Sequence, residues 1–132
     1  LLEKYPQQVK LVFKNYPLNS HKYARKAAAA ALAAHAQGRF WDFHDALFAS
    51  YNKLNDVSVE EIRARLELDK SAFDAQREAP QVMDQIKRDV QWAREAGVRG
   101  TPAVFINGRS QRSRSLGSFS AAVEAELRRL GK

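Results

Sequence analysis

The stretch Gly97-Val98-Arg99-Gly100-Thr101-Pro102-Ala103-Val104-Phe105-Ile106-Asn107-Gly108 restricts the fold of this chain more than any other. Ala103-Val104-Phe105-Ile106 is an uninterrupted apolar run bounded by turn residues, which predicts a strand buried on both faces. Asn107-Gly108 follows, and Asn-Gly is the strongest short hairpin signal because both positions tolerate positive φ. The return strand is expected within residues 111–116, in a polar segment with a weak pattern. Ser118 then caps a final helix whose Phe119, Val123, Leu127 and Leu130 share one face.

Upstream, Val9-Lys10-Leu11-Val12-Phe13 is short, apolar and rich in β-formers, and predicts a strand. Leu1-Leu2-Glu3-Lys4-Tyr5 reads as the last turn of a helix stopped by Pro6. Residues 21–36 read as a helix with Asn19 or Ser20 as its cap. Eight of the ten residues in 27–36 are alanine, the best helix former, and their small side chains permit close packing against a neighbour. Residues 40–51 make a second helix with an aromatic face. Ser58-Val59-Glu60-Glu61 has the spacing of a capping box and opens a third. Asp69 or Ser71 opens a short fourth helix. Pro80 sits at the first position of a long fifth, with Val82, Ile86, Val90 and Ala93 in one stripe and Gly97 at its end.

Strands at both ends and helices between them predict one α/β or α+β domain without repeats or an interdomain linker. The 132 residues suffice for one domain. No apolar run approaches the length of a membrane span.

The chain has no cysteine. That excludes a disulfide framework, a cysteine zinc site, an iron–sulfur cluster and a cysteine nucleophile within it. The net charge is +7. Ten bases and six acids give +4 in residues 1–66, and twelve bases and nine acids give +3 in residues 67–132. So even a spread predicts a solvated basic surface rather than a nucleic-acid-binding arm. The one local bias is residues 99–114, with Arg99, Arg109, Arg112 and Arg114 and no acid. It lacks interleaved aromatics and reads as a mobile, solvated hairpin. His35 and His44 have no metal-ligand spacing, and no carboxylate cluster appears, so no metal site is expected. The glycines match neither GxGxxG nor the Walker pattern. Phe40, Trp41, Phe43 and Phe48, at helical spacing, are expected in the core.

Three stretches together resemble the DsbA-like branch of the thioredoxin fold. They are Val9-Lys10-Leu11-Val12-Phe13-Lys14-Asn15-Tyr16-Pro17-Leu18 followed by His21 and the alanine-rich helix; Gln37-Gly38-Arg39-Phe40-Trp41-Asp42-Phe43-His44-Asp45-Ala46-Leu47-Phe48; and the stretch from Gly97 to Gly108. The resemblance covers nearly the whole chain. It implies an α/β, thioredoxin-like fold over residues 1–132, with a helical insertion at about 21–97 and a C-terminal hairpin and helix at 101–130. It implies a cis peptide bond at Thr101-Pro102.

Family members place a strand and a Cys-x-x-Cys before the position of Leu1, and neither is in this sequence. The chain therefore looks like a family member cut inside its first helix, and Leu1 in place of Met points to a longer gene product. By resemblance the absent strand is central, so the sheet is expected to be incomplete. The two flanking strands would pair directly, or a second copy would lend a strand in a homodimer, or the strand lies elsewhere in the gene product.

The resemblance implies part of a thiol–disulfide oxidoreductase that is redox-inactive as given. The alternative is a non-catalytic, thioredoxin-like module that binds peptides or a partner protein. Gly100, Thr101 and Pro102 are the implied peptide-contacting loop, and His21 the implied neighbour on the active-site face; His21 otherwise reads as a surface or loop-packing histidine. The implied partners are thiol- or disulfide-containing proteins, without nucleic acid and without a cofactor. The implied setting is periplasmic or otherwise extracytoplasmic, and nothing in the composition argues against a cytoplasmic one.

Overall fold

The computed structural model describes residues 1–18 and 22–131. His21 and the expected caps Asn19 and Ser20 lie outside the described residues. The chain divides into two compact units: Lys14–Gly97, and Leu1–Phe13 together with Val98–Lys132.

The unit Lys14–Gly97 is helical. Its helices are α1 (Ala24–His35), α2 (Phe40–Ala49), α3 (Asp56–Arg65), α4 (Lys70–Arg77) and α5 (Pro80–Glu95). The alanines of α1 explain how they assemble. Ala30, Ala33 and Ala34 are fully buried, and α1 touches α2, α4 and α5. A methyl side chain lets helix axes approach closely, and larger residues from the neighbours then fill the space. Phe43 from α2 and Phe73 from α4 do so, with ring centroids 5.5 Å apart and planes inclined by 30°. Val59, Ile62, Leu47 and Leu68 complete this core. On another side of α1, Ala29 packs with Val82 and Ile86 of α5.

Turn chemistry sets the helix boundaries. Gly38 and Gly97 follow α1 and α5 at φ 77° and 82°, where a side chain would be strained. Asp69 caps α4, its carboxylate accepting from the Ala72 N–H at 2.8 Å. The expected capping box lies one turn earlier than Ser58. Asn55 is the cap, and it accepts from the Ser58 N–H while the Ser58 hydroxyl accepts from the Asn55 N–H. Asn55 won because its side-chain oxygen reaches the third helical N–H, and Ser58 occupies the position usually held by Glu or Gln.

The aromatic face of α2 only partly matches expectation. Phe43 is buried and Phe40 packs on the core, but Trp41 is 43% exposed and Phe48 65% exposed. Helix α2 packs on α1 and α3, and Trp41 and Phe48 fall outside the stripe that those contacts cover.

Polar contacts also fasten this unit, two of them long-range side-chain contacts. Asp89 on α5 is buried and accepts from the backbone N–H and the amide of buried Asn15 at 2.9 and 2.8 Å. Tyr23, before α1, donates to the Asp56 carboxylate at 2.6 Å. Burial first, and this hydrogen bond second, raise the Tyr23 phenol from 10.0 to about 12. The folded state thus holds this proton more tightly than the unfolded chain. Its contribution to stability is complete below pH 10 and is lost as the pH rises toward 12. Absorbance at 295 nm is expected to report one tyrosine titrating near pH 12. Asp56→Asn should bring that midpoint only part of the way back, because burial is the larger cause; a midpoint of 10.0 in the parent chain would refute the contact.

The second unit holds β1 (Phe105–Ile106), β2 (Arg109–Ser110) and α6 (Leu116–Arg129). The strands pair antiparallel, Phe105 with Ser110 and Ile106 with Arg109. Asn107 and Gly108 take φ 47° and 80°, the two positive values that a tight hairpin loop requires. The return strand is therefore at residues 109–110 and not within 111–116. A two-residue loop turns the chain at once, so pairing begins directly after Gly108.

The expected strand at residues 103–106 is shorter, and its residues are half-buried or exposed rather than buried on both faces. Residues 9–13 form no strand, and Leu11 and Val12 are each 57% exposed. Strand preference is realised only when a neighbour takes the ladder hydrogen bonds and covers a face. Among the described residues the sheet has two strands, and those pair with each other. The first residues still form helical turns, with the Tyr5 N–H donating to the Leu1 carbonyl at 3.0 Å. Ser115, not Ser118, caps α6, its hydroxyl accepting from the Ser118 N–H at 3.1 Å.

Candidate functional site

The implied peptide-contacting residues Gly100, Thr101 and Pro102 form an exposed loop that leads into β1. The Thr101–Pro102 peptide bond is cis. His21 lies outside the described residues, so the site is built from the second unit alone.

Chain chemistry explains how this loop is held. The hairpin ladder continues one step past β1, where the Gln111 N–H donates to the Val104 carbonyl at 2.9 Å. Two residues further back the chain reaches Pro102, which has no N–H to give. Its carbonyl remains an acceptor. The Arg114 side chain uses that acceptor, with Nη1 donating to the Pro102 carbonyl at 2.7 Å.

Serine hydroxyls steady the backbone on the far side of Arg114. Ser118 Oγ donates to Ser113 Oγ at 2.8 Å, and Ser115 Oγ donates to Ser118 Oγ at 2.9 Å. The segment expected as a mobile, solvated hairpin is exposed, yet it is tied at both ends by these bonds. The tie at its tip is ionic. Buried Glu126 of α6 lies 3.1 Å from Arg109 and 2.8 Å from Arg129 and accepts weakly from the Asn107 amide at 3.5 Å. The Arg129 hydrogen bond, then Asn107 and the nearby arginine charges, hold the Glu126 carboxyl below its usual 4.5 against a cost of desolvation.

A second carboxylate on α6 holds the start of the chain. Glu124 accepts from the Tyr5 hydroxyl at 2.6 Å and from Lys4 at 3.0 Å. Those two bonds lower its pKa, the tyrosine bond most.

The loop can offer backbone groups to an added chain. A two-stranded sheet leaves an outer edge on each strand, and Thr101, Pro102 and Ala103 continue the β1 edge as exposed residues. An extended peptide can lie along such an edge and exchange main-chain hydrogen bonds. Electron transfer is a different matter. Disulfide exchange needs a thiolate nucleophile, and this chain has no sulfur besides one methionine thioether. Among the described residues no three His, Asp or Glu side chains are grouped to hold a metal ion, and no helix is long and apolar enough to cross a membrane.

Sequence reasoning missed Arg114 as the partner of Pro102, and Glu126 as the anchor of the hairpin. The first had a signal. With Asn107-Gly108 as a two-residue loop, counting outward from Ile106 and Arg109 brings the segment around Arg114 beside the segment around Pro102. The second had none, because an acid among arginines near a helix end reads as an ordinary solvated pair.

The family model described as a DSBA-like thioredoxin domain matches residues 2–126. The Na(+)/H(+) antiporter NhaA 3 of Salinispora tropica is 37% identical over 117 residues, covering 87% of this chain and 18% of that protein. The Na(+)/H(+) antiporter NhaA of Nitrosospira multiformis is 34% identical over 110 residues, covering 83% of this chain and 18% of that protein. The probable disulfide bond formation protein D of Bacillus anthracis is 24% identical over 130 residues, covering 92% of this chain and 59% of that protein. The chain thus spans under a fifth of those antiporters and about three fifths of the disulfide bond formation protein. No solved structure matches the chain.

Proposed function

The chain belongs to the DsbA-like thioredoxin domain family, and from that premise we propose that it is the substrate-docking part of a protein thiol–disulfide oxidoreductase. In this reading it receives extended segments of thiol- or disulfide-containing proteins along Gly100, Thr101 and Pro102. It performs no exchange itself, because exchange proceeds only through a thiolate and the chain has no cysteine. The observation that carries the reading is the exposed Gly100–Pro102 loop, continuous with the edge of β1 and fastened from behind by Arg114. Binding of this kind is main-chain recognition and tolerates many sequences, as a general thiol–disulfide enzyme requires.

Residues 1–132 act as one DsbA-like domain in this proposal, with the helices at about 21–97 as an insertion. The family match crosses both units, which supports it. The setting is extracytoplasmic, as is typical of the family. No antiport is carried over from the names of the Salinispora and Nitrosospira relatives, since the chain spans 18% of each.

Two measurements test the reading. In an insulin-reduction assay the chain is expected to run at the rate of the buffer control; a rate above it would overturn the inactive half. In a nuclear magnetic resonance titration, a peptide containing an S-methylated cysteine is expected to shift the amides of Gly100, Thr101 and Ala103. Shifts confined to α1–α5 would overturn the docking half.

A further inference from the structure

We infer that the docking edge selects peptides carrying acidic residues beside the docked segment. This rests on the docking proposal above and adds a substrate class to it. Residues 96–123 contain four arginines and no acid. One of the four, Arg109, is neutralised by Glu126. The other three, Arg99, Arg112 and Arg114, are exposed, and among the described residues none has a carboxylate within 4.0 Å.

These three flank the loop. Arg99 stands just before Gly100 in the chain. Arg112 lies in the return segment between Gln111, whose N–H donates to the Val104 carbonyl, and Arg114, which donates to the Pro102 carbonyl. Arg114 spends one N–H on the Pro102 carbonyl and keeps others of its five donors for a ligand. A peptide lying along residues 100–103 therefore runs beside Arg114 and near the chain segments that carry Arg99 and Arg112. Glutamate or aspartate in its flanks would meet guanidinium groups that otherwise repel one another.

The segment 104–123 offers little to a nucleic acid. Phe105 and Phe119 are half-buried, so the exposed arginines have no exposed aromatic among them for base stacking. The observations favour a peptide, and RNA becomes an outcome of the test.

Three rhodamine-labelled peptides of equal length serve as probes. Each has one S-methylated cysteine, flanked by glutamate, serine or lysine. Fluorescence anisotropy is expected to show the glutamate peptide binding about five-fold tighter than the serine peptide in dilute buffer, as a few exposed ion pairs provide. That ratio should fall toward one in about 0.3 M salt, which screens exposed charges. The double variant Arg99→Ser/Arg112→Ser should bring the ratio to about one in dilute buffer. Both sites are exposed, and circular dichroism checks that the variant keeps its helices.

Equal affinities for the glutamate and serine peptides, with shifts at Gly100, Thr101 and Ala103 for both, would overturn the charge selection and leave the docking proposal standing. No shift at those amides with any peptide would overturn both. A preference for glutamate that survives the double variant would place the acidic contact elsewhere and overturn the inference. So would an oligouridylate that binds more tightly than the glutamate peptide and competes with it.

Discussion

Phe43→Ala is expected to destabilise the helical unit by about 4 kcal/mol, read as a lowered urea midpoint by circular dichroism. Phe43 has no exposed surface and its ring stacks on that of Phe73. Truncation removes most of the side chain and leaves a cavity whose cost depends on whether neighbours can collapse into it. The neighbours on one side are the α1 alanines, which have no side chain to extend. On the other side Phe73 would lose its stacked partner. Both facts place the variant in the upper part of the usual range for such truncations. Phe43→Leu, which keeps much of the volume, should cost about 1–2 kcal/mol. A loss below about 1 kcal/mol for the alanine variant would show that this ring is not central to the core.

Asp89→Ala is expected to cost about 3 kcal/mol in the same experiment. The Asp89 carboxylate holds three donors: the Asn15 backbone N–H, the Asn15 amide and the Gln85 amide at 2.8 Å. Asn15 is 4% exposed, so its N–H and amide cannot turn to water when the acceptor is removed. Two buried donors left unsatisfied cost more than the net worth of the bonds that were lost. The asymmetry gives a sharper test. Asn15→Ala removes one donor and leaves the Gln85 contact, so it should cost less than Asp89→Ala. The double variant should cost less than the sum of the two singles, because the second change no longer orphans a partner. Additive costs would mean that the two residues do not form one contact.

Much of the helical unit was legible in the sequence, because helices announce themselves locally. Alanine content, Gly38 and Gly97, the Asp69 cap and Pro80 each act within a turn of their own position. Caps could be missed by a few residues where two candidates compete, as at Asn55 and Ser58 or at Ser115 and Ser118. Strands were less legible. Residues 9–13 have the composition of a strand and form none, since a strand exists only through its neighbour. The exposed flank of α2 was equally unreadable. Period 3.6 tells which residues share a face, but not how wide a stripe the neighbouring helix covers.

For the candidate site, the loop Gly100-Thr101-Pro102 was implied by resemblance, while the sequence by itself determined the turn at Asn107-Gly108, the absence of a thiol and the run of arginines without acids. These are properties of residue type and spacing, and no neighbour is needed to state them. Tertiary structure alone decided which arginine is neutralised and which holds the loop. Arg109 meets Glu126 across 17 residues of chain, and Arg114 meets the Pro102 carbonyl across 12. Electrostatic and hydrogen-bond partners depend on distances in space, which folding sets after local preference has finished its part.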